Sequence, residues 1–537
     1  MRDGIVLRAD VYRPQGAGPW PVLLARTPYG KGDPGVLARL DPALALERGF
    51  LVVIQDVRGR FRSAGAWTPL ANERTDGYDT VRWAARLPGS DGRVCMYGPS
   101  YLGQTQWAAV SAQPPELRAA VPEFTWSDPD DGLLSRDRVY ELGLMTQWTL
   151  TLGVNVLERR HADDPAELER RLAALDEAID GLTQRTYWET PPGAPLRRLD
   201  LPMPRPVDTR QTPITVPTLI VAGWYDSFLQ GCLDNYARAR DSGTPTALIV
   251  GPWTHDNQTG HVGDIDFGDS ADAASIDAGA SLLERELDWL DRTLSEKRSK
   301  ADELPILLFV MGANRWRRLP SWPPACVETP WYLREDGSLS PAPPAPESPP
   351  DVFLHDPANP VPSRGGALLM TPDFPAGPSD QQQVEQRDDV LVYTSALLQA
   401  PLEVIGRVTL RLFADSTAPS TDWIARLCDV DEEGVSRNIT DGVVRIDEGD
   451  GPGEVEVSID LWSTAHVFLP GHRIRVQIAS SCFPRWDRNF GAAAIAPQNP
   501  QVARQRVFHD TLRPSRLILP VLPSTPDTQV PMLRSSM

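Results

Sequence analysis

The first 125 residues alternate short apolar runs with amphipathic segments. Val22-Leu23-Leu24-Ala25 and Leu51-Val52-Val53-Ile54 are uninterrupted apolar tetrads, the pattern of parallel strands covered on both faces. Asp76 to Leu87 carries Tyr78, Val81, Trp83 and Ala84 at spacings that suit an amphipathic helix. Val94-Cys95-Met96-Tyr97 predicts another strand, ending at Gly98. From Ser100 onward, Leu102, Trp107, Ala108 and Ala109 predict a helix. The alternation is that of an α/β domain.

The pattern changes over residues 126–212. Leu133–Leu157 and the charged, Ala/Leu-rich run Pro165–Leu182 predict helices, followed by a proline-rich stretch from Pro191 to Pro213. Strand-like runs return at Thr218–Ala222 and Ala247–Val250, so the helical stretch reads as an insertion into one α/β domain, placed over the ends of its strands. From about residue 305 the helical period fades. Strands are expected at Ile306–Met311, Val390–Tyr393, Leu402–Phe413, Trp423–Val430, Gly453–Leu461 and Arg473–Ser480, with proline and glycine clusters between them. Many short strands with such punctuation predict an all-β sandwich or jelly roll.

Composition narrows the function classes. A chain of 537 residues is long enough for two to four domains. Its net charge of −19 argues against binding nucleic-acid phosphates or an anionic membrane face. The five cysteines are an odd number, scattered and without a CxxC pair, which points to a reducing compartment and away from a disulfide framework or cysteine zinc site. Met1-Arg2-Asp3-Gly4 lacks the basic-then-apolar pattern of a secretory signal, and no run approaches the ~18 apolar residues of a membrane helix. A cytoplasmic protein is therefore expected. The 53 prolines are about twice normal usage, but 16 tryptophans and regular apolar runs lie between them, so they punctuate a compact protein.

The sharpest chemical signal is Gly98-Pro99-Ser100-Tyr101-Leu102-Gly103, a serine between glycines where a strand hands over to a helix. A tight turn there exposes Oγ and turns the following backbone N–H toward an oxyanion. The second glycine stands at +3 rather than the usual +2, and spacing alone favours an ordinary strand–helix connection. Asp226, after the strand run Leu219–Ala222, and His255, after Leu248–Val250, complete the order Ser…Asp…His that α/β-hydrolases use. The chemistry needs all three. A serine hydroxyl is too weak an acid to attack unaided, an imidazole takes its proton, and a carboxylate holds the imidazole's tautomer. Taken singly, Asp226 is as readily a turn residue, and a lone His255 is more often structural.

Together these motifs resemble the CocE/NonD branch of α/β-hydrolases, the family of the bacterial cocaine esterase. It is related to X-Pro dipeptidyl-peptidases, α-amino-acid ester hydrolases and glutaryl-cephalosporin acylases. The resemblance runs through Met1–Gly4, Asp10–Pro14, Arg26-Thr27-Pro28-Tyr29, Gln55–Gly59, Gly98–Gly103, Gly223–Asp226, Gly251–His255 and Phe468–Arg473. It implies Ser100 as nucleophile, His255 as base and Asp226 as orienting acid. It also implies that the Tyr29 hydroxyl and the Tyr101 backbone N–H form the oxyanion hole. In the esterase-like relatives an aromatic at the position of Phe228 lines the acyl pocket, and Trp148 and Trp126 could line it from the cap, although core packing is the favoured reading of these rings.

Other clusters carry less. Asp56-Val57-Arg58-Gly59-Arg60 is expected to order a loop rather than react. Asp264, Asp266 and Asp269 fit no calcium loop, and His261, His466 and His472 no zinc pattern. The expected architecture is an α/β-hydrolase domain (1–125 and 213–304), a helical cap insertion (126–212) and a C-terminal β jelly roll (305–537). The expected activity is ester hydrolysis through an acyl-enzyme, on a small-molecule substrate with a bulky or aromatic acyl group, without metal or organic cofactor. The alternatives are amide cleavage, as a β-lactam side-chain acylase or an X-Pro dipeptidyl-peptidase, and a glycan- or partner-binding protein with an idle hydrolase core.

Overall fold

A computed structural model describes residues 1–183, 199–295, 304–447, 454–491 and 500–523. Nine strands of the N-terminal half form one sheet: β1 (Ala9–Tyr12), β2 (Trp20–Thr27), β3 (Leu51–Asp56), β4 (Ser90–Pro99), β5 (Leu117–Glu123), β6 (Thr218–Tyr225), β7 (Thr246–Thr254), β8 (Ile306–Val310) and β9 (Arg315–Leu319). They lie in the order β1-β3-β2-β4-β5-β6-β7-β8-β9. Every neighbour from β3 to β8 is parallel, and β1 and β9 are added antiparallel at the two edges.

The apolar tetrads are explained by cover on both faces. Val22, Leu24, Val53, Val94 and Met96 point to one side, against Val81 and Ala84 of the helix Glu73–Ala84 and against Trp107 and Val110 of the helix Tyr101–Ala112. Leu23, Ala25, Val52, Ile54 and Cys95 point to the other, against Leu287 and Leu290 of the helix Leu282–Leu294. Successive side chains alternate sides, so a strand buried on both faces must be apolar at every position.

The same reasoning accounts for one departure from expectation. The strand expected at Ile306–Met311 among the C-terminal β elements joins the first sheet as β8, pairing in parallel with β7 through Ile306, Leu307 and Leu308. Its five residues are all buried, which suits an interior parallel strand and not the alternating face of a sandwich. Strands β1, β5 and β9 had no sequence counterpart, β5 because Pro122 and Arg118 interrupt its apolar run and β9 because Arg315, Arg317 and Arg318 leave it no apolar run.

The helix expected over Leu133–Leu157 is also broken. A tight hairpin pairs Ser135–Arg136 with Val139–Tyr140, and its tip residues Asp137 and Arg138 have φ of 46° and 70°, outside helical space. Two helices follow, Leu142–Thr151 and Gly153–Arg160. The helix expected over Pro165–Leu182 is present as Pro165–Asp180, capped by Asp164, whose carboxylate accepts from the Glu167 N–H. Of the proline-rich stretch Pro191–Pro213, residues 191–198 lie outside the described residues.

From Val327 to Val521 the described chain is largely antiparallel β structure, with the long pair Leu402–Ser416 and Val455–Phe468 at its centre. It is fastened to the first sheet where Met311, just past β8, exchanges backbone hydrogen bonds with Ala465 and Val467 at 3.0 and 2.8 Å. Among the described residues no helix is long and apolar enough to cross a membrane.

Candidate active site

Ser100 occupies the single residue between β4 and the helix Tyr101–Ala112. Its backbone takes φ 59° and ψ −122°, a region that non-glycine residues avoid at a cost of about 1–3 kcal/mol. The turn is held from both sides, because the Ser100 N–H donates to the Glu123 carbonyl at 2.9 Å and the Gln104 N–H donates to the Ser100 carbonyl at 3.0 Å. Gly98 is required first by its backbone, with φ 116°, and Gly103 by space. A Cβ on Gly98 would lie 2.9 Å from Leu102 Cδ2, and one on Gly103 would lie 2.8 Å from Thr125 Cγ2 and 3.0 Å from the Glu123 carbonyl oxygen. The +3 glycine therefore lets the helix settle on the end of β5, which explains the unusual spacing.

Tyr101 opens the helix, where backbone N–H groups have no intrahelical acceptor. Its side chain is anchored beneath the turn: the phenol donates to Glu73 Oε1 at 2.8 Å and accepts from the Leu70 N–H at 3.0 Å. Glu73 is in turn paired with the buried Arg26 at 2.6 Å. Residue 101 thus has no freedom to swing its backbone N–H away from the turn.

Asp226 and His255 follow the ends of β6 and β7, the two strands next to β5 on the side away from β4. The Asp226 carboxylate is fully buried and both its oxygens are fixed, Oδ2 on His255 Nδ1 at 2.7 Å and Oδ1 on the Phe228 N–H at 2.5 Å. That contact leaves Nε2 as the ring's working atom. Burial pulls the His255 pKa down, but the charge and hydrogen bond of Asp226, helped by Asp256, outweigh it and leave it raised. No hydrogen bond joins Ser100 Oγ to His255 Nε2, a contact that in hydrolases commonly tightens only when substrate binds.

Tyr29 stands just beyond β2. Burial raises its pKa, partly offset by hydrogen bonding with Trp148 and Ser100, so the phenol keeps its proton at neutral pH and stays a donor. Its oxygen accepts from Trp148 Nε1 at 3.2 Å. Its ring meets that of Tyr101 edge-on, with centroids 6.5 Å apart.

The three remaining candidates fall around the same place. Phe228 packs edge-on against His255 at 5.2 Å and at a tilt against Trp126 at 5.1 Å, while Trp148 stacks on Tyr101 at 6.3 Å. These rings belong to one apolar cluster that also takes in Leu133, Leu144, Met145, Trp67 and Leu369. None of these five was a candidate, and the last two also lay outside every predicted element. Trp67 lies in the loop after the Asp56–Arg60 motif and carried no periodic signal. Leu369 arrives from the C-terminal half, where Ala367-Leu368-Leu369-Met370 is a short apolar run among prolines.

Arg60 also gains a defined place. Its guanidinium donates to the carbonyls of Pro28, beside Tyr29, and Leu152, at the end of the helix Leu142–Thr151, and lies 4.4 Å over the Trp67 ring. Burial lowers its pKa to about 10. Outside the site, Asp264 accepts from the Asp380 N–H, and His466 and His472 share Asp429. Among the described residues no three acidic, histidine or cysteine side chains converge as a metal site.

Residues 3–257 match the family described as X-Pro dipeptidyl-peptidase (S15 family), and residues 299–518 match the X-Pro dipeptidyl-peptidase C-terminal non-catalytic domain. The chain is 34% identical to the cocaine esterase of Rhodococcus sp. (strain MB1 Bresler), over 97% of each chain. Among solved structures it is similar to an aminopeptidase from a marine-sediment Thaumarchaeota archaeon, at 25% identity and TM-score 0.79. It is similar to an α-amino acid ester hydrolase at 25% identity and TM-score 0.75. Both alignments cover 97% of this chain and 95% of the other.

Proposed function

The chain belongs to the CocE/NonD family of α/β-hydrolases and is a serine ester hydrolase, and from that premise we propose that it is a carboxylesterase for bulky or aromatic acyl groups, with Ser100, His255 and Asp226 as its triad. Ser100 Oγ attacks the acyl carbon while His255 Nε2 takes its proton. The carbonyl oxygen becomes an oxyanion between the Tyr29 hydroxyl and the Tyr101 N–H. Collapse of the intermediate expels the alcohol, which receives the proton from His255, and leaves the acyl group on Ser100. Water then attacks the acyl-enzyme with His255 as base, and the acid departs.

The observation that carries the acyl preference is the aromatic wall beside His255, built from Phe228, Trp126 and Trp148. An aminopeptidase must hold an α-ammonium with carboxylate. Glu73, whose oxygen meets the Tyr101 phenol, is committed to Arg26. A desolvated ammonium against such a wall needs a carboxylate of its own, and Glu73 is not free to be that partner. In a comparison of p-nitrophenyl benzoate, Gly-Pro-p-nitroanilide and glutaryl-cephalosporanic acid, kcat/KM is expected to favour the benzoate by about 10²-fold or more. A preference for the nitroanilide would replace this reading with the peptidase one.

Tyr29→Phe tests the oxyanion hole. It removes one hydroxyl and keeps the ring, so packing should change little. Loss of one donor to the developing oxyanion is expected to lower kcat by about 10²–10³-fold. KM should move much less, because the charge exists only in the transition state. A kcat within a few-fold of wild type would make Tyr29 a structural aromatic.

A further inference from the structure

Trp148 was expected only as a lining ring, yet its polar edge is spent on another residue. The indole stands on the cap helix Leu142–Thr151, and its N–H reaches 119 positions back along the chain to donate to the Tyr29 oxygen at 3.2 Å. Its face is fixed as well, stacked on Tyr101 with 26° between the planes and met at a tilt by Trp67. The donor is therefore held in both direction and depth.

A phenol oxygen both accepts and donates. Once an N–H occupies its acceptor side, the O–H has fewer directions left, and accepting a hydrogen bond also polarises the O–H it donates. An oxyanion donor needs this kind of aim before charge develops, since preorganisation is what makes such donors effective. Arg60 supports the same arrangement, because it ties the Pro28 carbonyl, one residue before Tyr29, to the Leu152 carbonyl at the end of the cap helix. The loop that carries the donor and the helix that carries the indole are thus joined at two points.

We propose that Trp148 is a positioning residue for Tyr29, its cap-borne indole N–H aiming the phenolic O–H at the oxyanion, so that the cap helps to complete the catalytic site as well as covering the acyl pocket. This rests on the reading of Tyr29 as an oxyanion donor. The cap's grip on the site then acts on the rate of the chemical step, whereas a lining ring would act on substrate affinity.

The test is a double-mutant cycle on an aromatic p-nitrophenyl ester, with kcat, KM and melting temperature measured for wild type, Trp148→Phe, Tyr29→Phe and the double variant. Trp148→Phe is expected to lower kcat by about five- to tenfold, the scale of one ordinary hydrogen bond, with KM changed by less than about threefold. In the Tyr29→Phe background the same substitution should change kcat by less than about twofold, because the hydroxyl it aims is already gone. Benzothienylalanine at position 148 keeps the bicyclic ring and replaces the N–H with sulfur. It should reproduce the kcat loss without loss of melting temperature, even where Trp148→Phe folds poorly. Equal losses in both backgrounds, a loss confined to KM, or a benzothienyl variant with wild-type kcat would each overturn the proposal. A Tyr29→Phe enzyme with near-wild-type kcat would instead remove the reading beneath it.

Discussion

Ser100→Ala is expected to lower kcat for ester hydrolysis by about 10⁶-fold, the scale seen when a triad serine is removed elsewhere. The size of the effect follows from what is lost. Without Oγ there is no acyl-enzyme, and the route falls back on direct attack by water, helped only by binding and the oxyanion donors. The fold should survive, because the Ser100 turn is held by backbone hydrogen bonds to Glu123 and Gln104 that alanine retains. The rate is read with p-nitrophenyl esters, and circular dichroism and melting temperature report the fold. Phenylmethylsulfonyl fluoride should add its sulfonyl group to the peptide containing Ser100 in wild type and not in the variant. Wild-type kinetics in Ser100→Ala would end the nucleophile assignment.

Asp226→Asn is expected to cost about 10⁴-fold in kcat, because an amide facing Nδ1 favours the tautomer that carries the proton on Nε2. The structure adds a pH signature. His255 works as the neutral imidazole, and the net influence of its surroundings raises its pKa above the ordinary 6.5. For wild type, kcat/KM should therefore rise with pH through a limb above 6.5, since the protonated, inactive form persists to higher pH. Asp226 supplies most of the upward pull, through its charge and its hydrogen bond. In Asp226→Asn the residual activity should show its limb moved toward acid, with burial, which disfavours the charged imidazole, now dominant. Profiles from pH 5 to 9 on both enzymes test this. A limb in the same place for both would show that the titrating base is not held by Asp226.

Much of the candidate site was legible because its signals are local. A strained serine turn needs glycine on its flanks wherever it occurs, and Gly98 and Gly103 show that need in their contacts with Leu102, Thr125 and Glu123. Asp226 and His255 each sit one residue beyond a strand, at a position fixed by the strand's own apolar run. Tyr29 had no such signal and came from family resemblance alone. Trp67 and Leu369 were missed because a solitary tryptophan in a loop, or four apolar residues among prolines, has no period to mark it.

By itself the sequence determined the elements that local chemistry dictates: the apolar strands of a sheet covered on both faces, the serine turn and the order of the acid and base behind it. What only the tertiary structure decided is which distant segments meet. An apolar pattern reports that a residue is buried without saying against what, so Ile306–Val310 read as another C-terminal strand until its pairing with β7 placed it in the first sheet. The break at Asp137–Arg138 reflects a hairpin that packs beside the all-β part, where Arg136 donates to the Asp460 carbonyl. The bond from Trp148 to Tyr29 joins the helix Leu142–Thr151 to a loop more than a hundred residues earlier, and no spacing along the chain encodes it. Side-chain donors choose their acceptors by position in space, and the packing of the helix Leu142–Thr151 against the loop after β2 sets that position.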